Sequence, residues 1–445
     1  MTKKRMSWGV TIALMAITAA VTISLTYQFA MARFNERVHS INERQKMYAK
    51  LQEVDQKVRQ NYFGAIDEQL LNDSIADGYM QGTGDAHSRY MTVEEYRTMQ
   101  SELEGQTVGV GLEAALRAGE LTVVRVFANS PADLAGIQKG DVIVAADDVT
   151  AEKDGTEKLW EAMKGDSGQK VTLKVHRGTT EKQEIAIEVT RGAYEIISAE
   201  GRMTSEGLGY VSITEFNDNT PDQFKSAVTQ LQQQGITGLI LDVRNNPGGS
   251  LSSVAAILDV ILPAGNIVSS MDKSGAKTVL YTSDAAQLDL PIAVLVNGNS
   301  ASAAELLACA VRDYKKGTLV GENTYGKGTM QQTFALTDGS AISLTIAKFY
   351  PPLSNNFDGV GLKPDRQVAL TEEQKEQFYF LTDDEDAQLK AARVLLTGGT
   401  GGGTVEDPVV SQPDETVPEG DGSSETSVPS DVAAYEAGAR VTWIC

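Results

Sequence analysis

The sequence predicts an α/β core, a mixed sheet covered by helices. A compact β-rich module and a helical N-terminal region precede it, and a disordered acidic tail follows. Three observations predict this. From about Ala199, apolar runs such as "TGLILDV" and "PIAVLV" alternate with helical stretches such as "LSSVAAILDVIL" and "SAAELLACAVRDY", the texture of strands buried on both faces. Between Gln106 and Arg191, short β-branched runs are punctuated by glycine. From Thr397 to Cys445 the composition collapses to Gly, Ser, Thr, Pro and acid, with one basic residue, Arg440. Such a stretch buries too little apolar surface to offset its chain entropy.

Bulk numbers narrow the function. A chain of 445 residues is long enough for two or three domains. A net charge of −21 argues against a nucleic-acid partner, because phosphate binding needs concentrated Lys and Arg. The two cysteines, Cys309 and Cys445, make no disulfide framework. Cys309 lies in the apolar run "AAELLACAV" and reads as a small buried hydrophobe. Three histidines, His39, His87 and His176, leave few candidates for metal or triad chemistry. No metal and no cofactor is expected.

At the N-terminus, Lys3, Lys4 and Arg5 precede an uncharged run from Trp8 to Ala30, long enough to span a bilayer as a helix. The basic flank predicts a cytoplasmic N-terminus and an extracytoplasmic remainder on a single-pass cell-membrane protein. Ala30, Met31 and Ala32 have the form of a signal-peptide cleavage site, but the apolar run exceeds a usual signal core, which favours an uncleaved anchor over 1–32. Phe34, Val38, Ile41, Leu51, Val54 and Val58 then recur at helical steps with one gap. That predicts an amphipathic helix, a stalk or a homodimer surface, within a helical region 33–105. Thr92 followed by Glu94 and Glu95 reads as a further helix start.

In the module 106–191, "VGVGLEA", "ELTVVRVF", "DVIVAADD", "QKVTLKVHR" and "QEIAIEV" read as strands, and "SPADLAG" and "TEKLWEAMKG" as short helices. In the core 192–396, the helix "PDQFKSAVTQLQQQG" opens with Thr220 as cap and Pro221 in its first turn. "TMQQTFAL" and "AISLTIAKFY" read as strands, and "EDAQLKAARVLL" as a last helix before the tail 397–445.

The chemistry centres on "GENTYGKGTM", Gly321 to Met330. It nearly spells a phosphate-cradling loop, yet Gly328 stands where a hydroxyl should bind magnesium, and a strand follows instead of a helix. Lys327 therefore has another use. Upstream, "LVNGNSASAAE" carries Ser300 and Ser302 at a strand-to-helix turn, a place for an acyl-transfer nucleophile or for a plain helix cap. "GGS" after "LDVRNNP" offers glycine N–H groups at another strand end, as an oxyanion site needs. No histidine lies near these motifs in sequence, but a lysine kept neutral by burial can serve as base. Strand alternation puts Lys327, Thr329 and Gln331 on one face, so Gln331 is placed to orient the amine.

"LDVRNNPGGSL", "VNGNSASAAE" and "GENTYGKGTMQQ", in that order, resemble the three signatures of the carboxyl-terminal processing peptidases, or tail-specific proteases. "SPADLAGIQKGDVI" resembles the centre of their PDZ domain, and "DAHSRYMTVEEY" the stretch that precedes it. The resemblance runs from about Lys50 to Leu396. It implies an α/β protease core with an inserted PDZ domain and a Ser-Lys dyad. It assigns Ser302, not Ser300, as nucleophile, Lys327 as base and Gln331 as its orienting partner. The backbone N–H groups of Ala303 and Gly248 become the oxyanion donors. Gly109, Val110, Gly111 and Leu112 become the loop that holds a substrate's C-terminal carboxylate. The implied partners are protein C-termini, and the implied activity is cleavage near them on the extracytoplasmic side. Ala304 departs from the family, where Ser is frequent.

Two rivals are weaker. "SMDK", "SNN" and "KGT" echo the penicillin-recognising enzymes, but "IVSSMDKSGAKTVL" reads as a β-hairpin where Ser270 and Lys273 would need a helix. A non-catalytic, membrane-tethered PDZ scaffold is the rival of different class, and it would be expected to lack one of Ser302, Lys327 and Gln331.

Overall fold

The computed structural model describes residues 8–178, 182–398 and 442–444. The chain divides into two units with the boundary after Ser74. The first is dominated by one continuous helix, Trp8–Asn61, without a break at the apolar gap. Ile41, Leu51, Val54 and Val58 on it are exposed. Among the described residues no helix is long and apolar enough to cross a membrane, so the structure gives the expected anchor no support. Residues 1–7, with their basic cluster, lie outside the described residues.

In the second unit a six-stranded sheet forms the α/β core. Its order is Ala199–Met203, Gly209–Ile213, Leu239–Asp242, Ile292–Val296, Gly317–Gly321 and Arg366–Gln367. The first pair is antiparallel and every later pair is parallel. Period-two alternation divides the central strands between two apolar layers. Leu239, Leu241, Val294 and Val296 pack with the helices Thr220–Gln233, Leu251–Ile261 and Ala303–Asp313, while Ile240, Ala293 and Leu295 pack with Ala387–Leu396. Burial on both faces explains why these strands read as unbroken apolar runs. Cys309 is fully buried on the Ala303–Asp313 helix, and burial pushes its thiol up to about 11. Asn219, not Thr220, precedes the Thr220–Gln233 helix; the Thr220 hydroxyl turns inward instead and accepts from Asn217 N–H at 2.8 Å.

A second, antiparallel sheet takes the remaining core strands. Ala341–Tyr350 pairs with Thr329–Ala335, with Arg89–Met91 and with Gly265–Asp272, which forms a hairpin with Lys277–Ser283. Ser270 and Lys273 therefore share no helix, and the penicillin-recognising reading falls.

The β-rich module is clasped shut where it begins and ends, Gln106–Gly109 pairing with Gly192–Glu195. Its main sheet runs Leu112–Arg117, Glu120–Val126, Val142–Ala146, Lys170–Arg177 and Gln183–Thr190. The expected single strand "VGVGLEA" is broken at Val110 and Gly111, because Gly111 adopts φ 83°. A further strand, Thr442–Ile444, pairs with Leu112–Arg117. The disorder expected for 397–445 is thus wrong at its end: an apolar segment finds an open sheet edge, whose unpaired N–H and C=O groups template another strand. Residues 399–441 and Cys445 lie outside the described residues.

Candidate active site

Because Leu239–Asp242, Ile292–Val296 and Gly317–Gly321 are adjacent and parallel, their C-terminal ends open on one edge of the sheet. The three sequence motifs follow these three strands, so topology alone sets them side by side, as ligand sites of open α/β sheets are. Asparagines knit the loops together. Asn245 N–H donates to Asn297 Oδ1 at 2.9 Å, and Asn297 Nδ2 returns a bond to Asn245 Oδ1 at 2.8 Å. Ala301 N–H donates to the Asn246 carbonyl at 2.9 Å, and Tyr325 N–H to the Ser300 carbonyl at 3.1 Å. Beneath them Arg244 is buried between Asp242 and Asp386, fixing the strand end that leads into "NNPGG".

Ser302 occupies the turn from strand to helix with φ 55°, a left-handed conformation uncommon for a residue with a Cβ. Such strain persists only where the surroundings enforce it, and it lifts the side chain off the helix it opens. Ser300, two residues earlier, is fully buried. It donates to the Val243 carbonyl at 2.8 Å and accepts from Asn297 N–H at 3.0 Å, a staple between loops. Ser302 is partly exposed, and among the described residues no acceptor takes the N–H of Ala303 beside it. Gly248 lies against this turn so closely that a Cβ there would stand 2.9 Å from Ser302 Cβ and 3.1 Å from Ala303 N. The Gly248 N–H, however, donates to Asn246 Oδ1 at 2.8 Å. Of the two expected oxyanion donors, Gly248 is engaged, and Ala303 meets no acceptor among the described residues.

Lys327 lies where the third loop enters Thr329–Ala335, its flanking glycines pressed on another segment. A Cβ on Gly326 would stand 2.8 Å from Gly361 N, and one on Gly328 2.6 Å from the Asn356 side chain. Burial first, then the positive charge of Arg89, holds the Lys327 amine below the usual lysine range, against the opposing carboxylates of Asp85 and Glu305. No hydrogen bond joins Ser302 Oγ to Lys327 Nζ among the described residues, though catalytic hydrogen bonds often tighten only with substrate bound. No hydrogen bond joins Gln331 to the amine among the described residues: Gln331 Nε2 donates instead to Thr329 Oγ1, its neighbour on the same strand face, at 2.9 Å and to Thr345 Oγ1 at 3.0 Å.

What joins the loops is a residue the sequence reading passed over. Glu305, fully buried on the first helical turn, accepts from Ser302 N–H and Lys327 N–H, each at 2.9 Å, on one oxygen, Oε2. Its Oε1 accepts from Gly326 N–H at 2.7 Å and from the Thr324 hydroxyl at 2.5 Å. Burial pushes its carboxyl up, and these four donors oppose the push. The signal was present in "SAAE", a Ser-x-x-Glu capping pattern that fixes the Glu next to the Ser backbone. Glu305→Gln turns one oxygen into an NH2 group facing two donors. Activity on a peptide should fall about a hundredfold, the cost of roughly 1 Å of misplacement, while helicity is kept. Steady-state kinetics beside circular dichroism check it, and wild-type kcat in that variant would remove the positioning role.

The segment "DAHSRYM" also arrives here through Arg89–Met91 on the antiparallel sheet. His87, remote in sequence, feels the Lys327 charge: burial first and that charge second hold its imidazole below the usual range. Ser88 Oγ accepts from Thr345 N–H at 3.0 Å, tying this segment to the strand that Gln331 contacts.

In the β-rich module, Gly109, Val110, Gly111 and Leu112 form one buried turn. The carbonyls of Val110 and Gly111 accept from Ala132 N–H at 2.7 Å and from Phe127 N–H at 3.1 Å, and Ser130 Oγ also donates to Gly111 O at 2.9 Å. With the carbonyls pinned inward, no acceptor among the described residues takes the N–H of Val110 or Gly111. A Cβ on Gly111 would collide with Ser130 Cβ at 2.2 Å, so only glycine fits.

Comparison with known proteins agrees with this layout. The profile of Peptidase family S41 matches residues 207–368, and that of a PDZ domain residues 103–189. A carboxyl-terminal-processing protease of Synechocystis is 34% identical over 317 residues, covering 70% of this chain and 74% of that protein. A CtpA-like serine protease of Staphylococcus epidermidis is 30% identical over 364 residues, 81% of this chain and 72% of that one. A solved S41 protease of Bacteroides fragilis shares the fold, with a TM-score of 0.53 at 18% identity over 76% of this chain and 91% of that chain. With its three loops on one sheet edge and a PDZ domain ahead of them, the chain belongs to peptidase family S41, as a serine-type peptidase of the carboxyl-terminal processing group.

Proposed function

We propose that this peptidase cleaves protein substrates near their C-termini through an acyl-enzyme, with Ser302 as nucleophile and Lys327 as base. One observation carries the reading: a single buried carboxylate oxygen of Glu305 accepts from the backbones of both residues, so the two loops are built as one unit. A substrate C-terminus docks on the PDZ domain and its chain lies as an added strand. Neutral Lys327 takes the Ser302 proton as Oγ attacks the peptide carbonyl. The oxyanion is met by Ala303 N–H, joined by Gly248 N–H once that amide leaves Asn246 Oδ1. The lysine then protonates the leaving amine, and water hydrolyses the ester. Fluorophosphonate should label the wild-type protein on Ser302. An unlabelled, correctly folded protein would favour the non-catalytic PDZ scaffold.

The N–H groups of Val110 and Gly111, which meet no acceptor among the described residues, support recognition of a carboxylate. A charge-assisted hydrogen bond there contributes roughly 1.5–3 kcal/mol, about a ten- to hundredfold preference for a free over an amidated C-terminus. An interaction equal in ground and transition states raises KM and spares kcat on amidation. Equal KM for both peptides would remove tail recognition and leave a Ser-Lys peptidase.

Two further parts rest on the N-terminal region. The basic, then uncharged, sequence from Lys3 to Ala30 supports a membrane anchor with the peptidase on the extracytoplasmic side. Full release of the protein from membranes by carbonate would refute it. The exposed Leu51, Val54 and Val58 support pairing of two such helices. A monomer by sedimentation at micromolar concentration would refute that.

A further inference from the structure

The Thr442–Ile444 strand lies beside Leu112–Arg117, the strand that leaves the Gly109–Leu112 turn. It pairs antiparallel with Leu112–Arg117, Thr442 opposite Ala115, Trp443 opposite Ala114 and Ile444 opposite Glu113. Passing from Thr442 to Ile444, the strand advances toward Leu112 and the Gly109–Leu112 turn. That is the direction a substrate would take to bring its carboxylate to those N–H groups. On its other side Leu112–Arg117 pairs with Glu120–Val126, so Thr442–Ile444 covers the remaining edge of that strand. The sequence agrees: after a long Gly-, Ser- and acid-rich stretch, "VTWIC" turns abruptly apolar and β-branched.

We propose that the chain's own C-terminal strand is an internal ligand of its PDZ domain and competes there with substrate C-termini. This rests on the reading that the domain recognises C-termini. Because the strand belongs to the same chain, its docking is intramolecular, at an effective concentration taken as on the order of 1 mM. A strand that binds with a Kd of about 0.1 mM would then be docked roughly nine-tenths of the time, raising the apparent KM about tenfold. The tail is a brake on substrate capture that a tightly binding or concentrated substrate overrides. It leaves the chemistry at Ser302 untouched.

The test compares the full chain with a variant whose residues 442–445 are replaced by Gly-Ser-Gly-Ser, which keeps the length. Both are assayed on one peptide with a free and an amidated C-terminus, and a fluorescent peptide ending in "VTWIC" is titrated into each. The variant should show about a tenfold lower KM for the free-acid peptide at equal kcat, and should bind the fluorescent peptide more tightly than the full chain does. Unchanged KM in the variant, with the free-acid preference intact, would overturn the internal ligand while leaving C-terminus recognition standing. Loss of the free-acid preference in both proteins would strike C-terminus recognition instead. Direct binding of the fluorescent peptide then still decides: no binding to the variant overturns the proposal.

Discussion

Ser302→Ala should lower kcat on any peptide substrate by on the order of 10^4- to 10^6-fold, the loss that follows removal of a serine nucleophile. It should also abolish fluorophosphonate labelling. The fold should survive, because the Ser302 contact to Glu305 is made by its backbone N–H, which alanine keeps. Ser300→Ala makes the control. Its hydroxyl bridges the Val243 carbonyl and Asn297 N–H in a fully buried place. Removing it leaves the Asn297 N–H unsatisfied, while the Val243 carbonyl keeps the Asn246 N–H at 3.3 Å; the cost is roughly 1–3 kcal/mol of stability, read as a lower Tm with labelling retained. The two serines thus separate by different instruments, one by rate and one by melting. A Ser300→Ala enzyme that was dead yet melted normally would reverse the assignment.

The strands along the chain and the three loops were legible because they depend on local signals. Continuous apolar runs marked doubly buried strands, and glycine-rich turns after them marked the loops; parallel pairing then did the rest. Three things were not legible, each for a physical reason. Gln331 was placed by strict alternation, which holds as far as Thr329, but its amide is taken by the hydroxyls of Thr329 and, on the partner strand, Thr345. Gly248 was placed by its position near the turn, while the aim of its N–H is settled by the Asn246 side chain. His87 and Arg89 reach Lys327 only through the long-range pairing of Arg89–Met91 with Ala341–Tyr350. Glu305 differs from these. Its capping pattern was written in the sequence, but a cap explains only the bond to Ser302. The bond to Lys327 needs the strand order.

Lys327→Arg should be inactive across the whole accessible pH range, although it keeps the charge and most of the length. A base must give up its proton, and a guanidinium stays charged in proteins. In the wild type, burial and the Arg89 charge hold the Lys327 amine below the usual lysine range. The neutral fraction therefore grows at lower pH than for a free lysine, and kcat/KM should rise with pH through that depressed value. The same shift has a sign in stability. Between the depressed folded pKa and the ordinary unfolded one, the unfolded chain binds more protons, so stability rises with pH across that window and the penalty is full below it. Lys327→Met removes the ammonium, and its Tm should equal or exceed that of the wild type at neutral pH while activity is lost. A lysine held only for structure would give the opposite pair, a lower Tm and residual turnover. Measurable turnover by Lys327→Arg, or a flat pH profile in the wild type, would exclude the lysine as base.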